Sequence, residues 1–297
     1  MLNGIINIYK ERGFTSHDVV AKLRGILGQK KIGHTGTLDP EAEGVLPVCL
    51  GKGTRLCDML ADRTKSYEAV LLLGQSTDTQ DATGQVCARA EVSVTEERVR
   101  EVLQGFVGEY EQIPPMYSAL KVNGQKLYKL ARAGIEVERK ARKVTIYDLR
   151  ILDVSLPRVR FAVDCSKGTY IRTLCHDAGE RLGCHGCMES LLRTRVGDFR
   201  LEGSLKLSEV ERLRDEGRLD EAVIPVDRMF AELPGLKLLP EAAALGHNGN
   251  PFRPAQAQPV LEAERVRVYD DHGDFLGVYR YDAEGGLYRP VKMFYQA

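Results

Sequence analysis

The segment Gly33-His34-Thr35-Gly36-Thr37-Leu38-Asp39-Pro40-Glu41-Ala42-Glu43-Gly44-Val45-Leu46-Pro47-Val48 sets one aspartate among glycines and prolines. Such a loop is tightly shaped, lets backbone approach a ligand closely and can hold a carboxylate in one place. An ionised aspartate is an acceptor and a potential nucleophile. The same residues also fit an ordinary Asx turn at Asp39-Pro40, and spacing alone leaves both readings open. Other tempting patterns fail. Gly51-Lys52-Gly53-Thr54 lacks the earlier glycine of a phosphate-binding loop, because Leu46 stands there. Asp78 to Gly84 has the wrong residues at the fifth and sixth positions of a calcium loop and reads as a turn. Cys184-His185-Gly186-Cys187 is a single C-x-x-C, read here as structural thiols.

The aspartate loop needs a frame. Gly4 to Lys10 alternates like a strand, and Ser16 is expected to cap a helix carrying Val19, Val20, Leu23, Ile26 and Leu27, stopped by Gly28. Residues 31–43 read as loop, followed by an apolar strand over Val45 to Leu50. Further strands are expected at Tyr67 to Leu73, Lys143 to Ser155 and Val159 to Ser166. Helices are expected at Glu96 to Phe106, Gln125 to Ala133 and Tyr170 to Leu182. This irregular mixture favours α+β with a mainly antiparallel sheet. Breakers at Ile224-Pro225-Val226-Asp227 and Leu233-Pro234-Gly235 place a domain boundary near 235. Beyond it, Arg265 to Tyr269 and Phe275 to Tyr281 read as a hairpin about the turn 270–274, in a small β domain.

Length and charge narrow the partners. The 297 residues include 42 basic and 42 acidic side chains, so net charge alone argues against a non-specific polyanion binder. Distribution says more. Lys121 to Arg150 holds nine Lys or Arg against three acidic residues, whereas Glu211 to Glu241 holds eight acidic against five basic. Lys121, Lys126, Lys129, Arg132, Arg139, Lys140, Arg142 and Lys143, with Tyr117 and Tyr128, could track phosphates, or could be a merely solvated face. Seven irregularly spaced cysteines suit reduced thiols. With no long apolar run and no secretory leader, the expected compartment is the cytoplasm, without a membrane span.

The aspartate loop resembles the catalytic motif of the TruB family of tRNA pseudouridine synthases. Four more blocks resemble the same family in the same order: Lys65-Ser66-Tyr67-Glu68-Ala69, Ile113 to Tyr128, Lys167 to Leu174 and Leu191 to Gly197. The match spans about Gly4 to Arg200. It implies that Asp39 is the catalytic aspartate, Tyr67 the tyrosine against the target base, Tyr170 and Arg172 an active-site pair, and Leu191 an apolar pocket residue. It further implies that His34 fills the space vacated by a flipped base. The implied fold is the pseudouridine synthase fold, α+β around a long mixed sheet with a central cleft, taken as residues 1–235. A small β-rich PUA-like RNA-binding domain would follow, residues 236–297. The implied substrate is uridine 55 in the T-arm loop of tRNA, with no cofactor and no metal, and the protein is expected to be a monomer.

The chemistry suits these residue types. Pseudouridine formation breaks a C–N glycosidic bond, turns the base and rejoins it through carbon, without redox change or added group. A carboxylate can attack covalently or stabilise the detached sugar, and an aromatic face lets the uracil turn. Tyr67 is also a candidate general base where the sugar loses a proton, although alone it reads equally as a strand aromatic. Arg172 is the expected partner of Asp39, lowering its pKa and holding its geometry. Extruding the target base leaves a gap that His34 could fill; a histidine bonded within its own turn is the alternative. Two rival functions are a catalytically silent RNA-binding protein and a uridine-cleaving hydrolase.

Overall fold

The computed structural model describes residues 1–261 and 263–295; Glu262, Gln296 and Ala297, in the expected C-terminal domain, lie outside the described residues. Apolar alternation and β-branched runs give β1 (Gly4–Lys10), the short β2 (Ile32–His34), β3 (Glu43–Leu50) and β4 (Lys65–Leu73). Helices α1 (Ser16–Leu27) and α2 (Cys57–Ala61) fall between them. A hairpin of β5 (Gln75–Thr77) and β6 (Val86–Arg89) precedes α3 (Glu96–Gln104) and β7 (Gly108–Gln112). The tiny hairpin β8 (Lys121–Val122) and β9 (Gln125–Lys126) leads into α4 (Leu127–Arg132). The long strands β10 (Arg142–Ser155) and β11 (Arg158–Cys165) then return, followed by α5 (Ile171–Leu182), β12 (Gly186–Val196), β13 (Phe199–Arg200) and α6 (Leu207–Asp215).

Nine of these strands make one sheet in the order β1-β3-β12-β4-β11-β10-β7, with β2 added on β3 and β13 on β12. Pairing is antiparallel except where β12 runs parallel to β3, Leu192 opposite Glu43 and Arg193 opposite Gly44. The sheet is therefore mixed and mainly antiparallel, as expected. At the parallel crossing the backbones nearly touch: a Cβ on Gly44 (φ 104°) would lie 2.2 Å from the Arg193 carbonyl oxygen. Only glycine fits there.

Along β4, Lys65, Tyr67, Ala69, Leu71 and Leu73 turn inward. Of these, Tyr67, Ala69, Leu71 and Leu73 join one core cluster with Val99, Leu103 and Phe106 from the α3 region and Ile171, Leu174 and Ala178 of α5. Each fully buried aliphatic here contributes about 1.5–3 kcal/mol. Leu38 and Ala42 from the aspartate loop join this same cluster, and Leu191 packs on it. The loop is thus anchored on the core by its flanks.

Element ends differ from expectation in two informative places. Thr15, not Ser16, caps α1, in a capping box with Asp18. Ser16 is instead buried and receives the Leu38 N–H at 2.9 Å, so it fixes the residue before Asp39. The helix expected from Gln125 begins at Leu127, because Asn123 (φ 50°) and Gly124 (φ 81°) form a hairpin turn that pulls Gln125 into a strand. Asn-Gly is the strong signal for that turn.

After Gly235 a separate five-stranded sheet forms, ordered β15 (Ala257–Gln258), β14 (Gly235–Leu238), β16 (Arg265–Tyr269), β17 (Phe275–Asp282) and β18 (Leu287–Met293), beside the short α7 (Ala243–His247). The turn between β16 and β17 is held by Asp270, whose carboxylate accepts the His272 and Asp274 N–H groups at 3.0 and 2.8 Å. Leu236, Leu238, Val266, Val268, Leu276 and Tyr279 supply its own core. Val278 and Phe294 also pack with Ile5, Leu56, Val226 and Phe230, joining this sheet to the first.

Candidate active site

Asp39 opens a β-turn whose next residue is Pro40, closed by the Ala42 N–H on the Asp39 carbonyl at 3.1 Å. The turn reading of Asp39-Pro40 is thus met, and it leaves the Asp39 side chain free of the turn's own hydrogen bond. Lys10, fully buried at the end of β1, donates to the carbonyls of Pro40 and Ala42 at 3.1 and 2.5 Å. Burial pulls its pKa down to about 8, against the opposing pull of Asp39 and Glu43. Thr35 is tied to Pro47 from both its N–H and its hydroxyl. Every flank of Asp39 is pinned, which leaves its side chain 40% exposed over a guanidinium that is 5% exposed.

That guanidinium is Arg172, in the first turn of α5. Its Nε lies 3.0 Å from Asp39 Oδ2 and its Nη2 3.5 Å from Oδ1, a side-on fork. The remaining N–H groups donate to Tyr117 O at 2.8 Å and Thr79 O at 3.0 Å, and Nη1 lies 3.7 Å from Asp81 Oδ2. Arg172 therefore fastens three chain segments together. The expected lowering of the Asp39 pKa is present as one contribution but does not win: burial raises it, Arg172 lowers it, and the nearby Asp81 raises it again. The net direction is upward.

Tyr67 is 8% exposed in the main core, and burial pushes its hydroxyl up to about 12 despite the lowering effect of Arg193 beside it. At neutral pH it is a phenol and a hydrogen-bond donor. Tyr170 precedes α5, its hydroxyl beside Ser118 and its pKa raised by burial. Leu191 stands opposite Ala69 on β12, two residues along from the facing pair Arg193 and Tyr67. His34 accepts the Gly36 N–H on Nδ1 at 3.3 Å and meets the His17 ring edge-on at 5.2 Å. Burial lowers its pKa. The bond within its own turn is therefore real, and it fixes the ring rather than excluding a further role.

Asp39 pairs with Arg172, Tyr67 and Tyr170 both feel the Asp39 charge, and Leu191 packs on the core cluster that holds Tyr67; the basic residues lie farther along the segment that meets Arg172 at Tyr117. Lys121, Lys129, Arg132 and Arg142 are exposed, and Lys126 Nζ and the Arg132 guanidinium both lie 5.6 Å from the Tyr128 ring centre. Arg139 is different. It turns inward, donating to Pro114 O at 3.1 Å, with Glu136 at 3.6 Å. Lys143 pairs with Glu109 at 2.8 Å. No group of three or more His, Cys, Asp or Glu side chains suited to a metal occurs among the described residues.

Sequence reading missed Lys10, Ser16, Asp81, Gln112 and Arg193. Gln112 is 1% exposed and clasps the Tyr170 backbone from both sides, donating to its carbonyl at 2.9 Å and accepting its N–H at 2.8 Å. Replacing it with Ala leaves the Tyr170 N–H unpaired, while the Tyr170 carbonyl keeps the Leu174 N–H at 3.1 Å, so Gln112→Ala is expected to lose about 1–2 kcal/mol in urea unfolding. A loss below about 0.5 kcal/mol would mean that water replaces the clasp without penalty.

Comparison with known proteins gives the family. Residues 24–171 match the TruB family pseudouridylate synthase N-terminal domain, and residues 172–231 match the tRNA pseudouridylate synthase B C-terminal domain. The tRNA pseudouridine synthase B of Lachnoclostridium phytofermentans is 53% identical, covering 99% of this chain and 100% of that protein. The Bacillus subtilis protein of the same name is 41% identical, covering 100% and 99%. Among solved structures, a Cbf5-Nop10-Gar1 complex gives a TM-score of 0.72 at 27% identity, covering 98% of this chain and 84% of the matched one. An H/ACA RNP bound to a substrate RNA gives 0.70 at 25%, covering 99% and 85%. With its aspartate loop, its buried arginine and its mixed sheet all in place, the chain belongs to the TruB family of pseudouridylate synthases.

Proposed function

We propose that this pseudouridylate synthase isomerises uridine 55 in the T-arm loop of tRNA, acting as a cytoplasmic monomer. The carrying observation is the part-exposed Asp39 carboxylate seated on the buried Arg172 fork at 3.0 Å. In this reading Asp39 is the catalytic carboxylate, Arg172 holds it, Tyr67 and Leu191 bracket the base, Tyr170 lines the site and His34 fills the gap in the RNA. A silent RNA-binding protein has no use for this set, and a hydrolase would release free uracil. Incubating the protein with unmodified tRNA distinguishes all three. An isomerase leaves the RNA mass unchanged while converting the uridine at position 55 to a nucleoside of different chromatographic mobility. Release of uracil, or no conversion, overturns the reading.

The exposed cations of segment 121–142 are the proposed phosphate contacts, and residues 236–297 a further PUA-like RNA-binding surface. Each phosphate contact releases condensed counterion, contributing roughly 0.7–0.9 to the slope of log affinity against log salt. Neutralising Lys129, Arg132 and Arg142 together should therefore flatten the slope by about 2. Turnover should return at saturating tRNA, because contacts made equally in ground and transition states affect binding alone. Arg139→Gln should change the slope little, since its guanidinium is engaged with Pro114. An unchanged slope in the triple variant would put the RNA on another face.

A further inference from the structure

Arg193 is 1% exposed, a guanidinium set in the middle of the sheet on β12. Its Nε donates to Val45 O at 2.7 Å and its Nη1 to Thr37 O at 3.4 Å, both on the flanks of the Asp39 loop. Its Nη2 is buried without a hydrogen-bond partner. No carboxylate pairs with it among the described residues, and the group that most favours its charge is the hydroxyl of Tyr67, directly across the strand pair. Lys10 and Lys65, which also feel it, add positive charge rather than cancel it, and His34, its pKa lowered by burial, offers no negative charge either. Leaving a cation unpaired in a protein interior costs several kcal/mol. An anion formed beside Tyr67 would recover that cost.

Building on the uridine isomerisation proposed above, we propose that Arg193 is a positioning residue whose unpaired charge, relayed by the Tyr67 hydroxyl, stabilises the negative charge that the target uracil acquires when its bond to the sugar breaks. Heterolysis of C1′–N1 leaves the electron pair on the ring, so the detached uracil is a monoanion with charge on N1 and its carbonyl oxygens. The electron-poor sugar carbon is taken up by Asp39. After the ring turns, its electrons form the C5–C1′ bond as C1′ leaves Asp39, whose carboxylate recovers its electron pair; the C5 proton then leaves and N1 gains a proton, with no net redox change. A charge present beforehand and aimed at an ion that exists only along the reaction favours the transition state over bound substrate.

The test exploits leaving-group acidity. 5-Fluorouracil is a stronger acid than uracil, so its anion needs less help from the protein. Arg193→Gln and Arg193→Lys are compared with the unaltered protein in single turnover at saturating tRNA, carrying uridine or 5-fluorouridine at the target position. The readout is disappearance of the starting nucleoside. Arg193→Gln is expected to slow uridine about 100-fold, the scale for losing one electrostatic stabiliser. It should slow 5-fluorouridine by less than about 10-fold, with tRNA affinity within about threefold of normal. Arg193→Lys, which keeps the charge, should recover most of the uridine rate. Equal slowing of both nucleosides, or a loss confined to affinity, would reduce Arg193 to a brace for the loop. Should Arg193→Gln fail to fold, Tyr67→Phe, which removes the relaying hydroxyl, decides: it must slow uridine more than 5-fluorouridine, and equal slowing overturns the proposal. Failure of the unaltered protein to convert uridine would instead overturn the function on which the proposal rests.

Discussion

Asp39→Asn is expected to lower single-turnover conversion of tRNA about 10⁴-fold or more while leaving tRNA affinity within about threefold. The amide has the same shape, so the Pro40 turn, the Ser16 contact to Leu38 and the Lys10 contacts to Pro40 and Ala42 survive. What disappears is the negative charge over Arg172. Asparagine is a poor nucleophile and cannot offset positive charge on the sugar, whichever way the carboxylate acts. Binding is little affected, because the RNA is held by many contacts and one exposed carboxylate displaces few phosphate counterions. Measured on protein free of deamidated material, conversion above about 1% of the normal rate would remove Asp39 from the chemistry. A matched fall in affinity would make it an RNA-positioning residue instead.

Legibility from sequence followed the range of the physical signal. Apolar patterns predicted β1, β3, β4, β10 and β11 to within a residue or two: β4 and β11 alternate because they bury one face, whereas β3 reads as a continuous apolar run because both its faces are buried. The paired Asp39 and Arg172 were legible as residue types, but their contact closes a separation of 133 residues that only the sheet order β3-β12-β4 and the docking of α5 bring about. Lys10 was unreadable for another reason. At the end of a strand it looks like any solvated lysine, and only the fold turns its ammonium under the aspartate loop. Asp81 sat in a segment correctly read as a turn, and its proximity to Arg172 has no local signature. Gln112 and Arg193 are buried polar residues whose partners are distant backbone groups. Spacing rules describe a residue's neighbours along the chain, so residues that support the site from beneath fall outside them. The Thr15 capping box and the Asn123-Gly124 turn, by contrast, were local signals present in the sequence but given too little weight.

Arg172→Lys and Arg172→Gln separate the two things that this arginine does. One is mechanical: its fork meets Asp39, Thr79 and Tyr117 at once. A lysine ammonium is a point charge on a flexible stem and cannot span those three directions. Arg172→Lys is therefore expected to lower kcat about 10²–10³-fold even though the charge is retained, because Asp39 is no longer held in one orientation. The other is electrostatic. Burial and Asp81 raise the Asp39 pKa while Arg172 opposes them. The carboxylate works only when ionised, so activity falls as pH drops through that raised value. The acid limb of the single-turnover rate should lie above the ordinary aspartate range. Arg172→Gln removes the lowering contribution and should shift the limb to higher pH, whereas Arg172→Lys should shift it less. The two variants are compared by pH–rate profiles at saturating tRNA, where the limb reports the enzyme–RNA complex. Near-normal turnover by Arg172→Lys would show that the fork is dispensable. An acid limb that stays in place in Arg172→Gln would show that Asp39 is not the group whose ionisation limits the reaction.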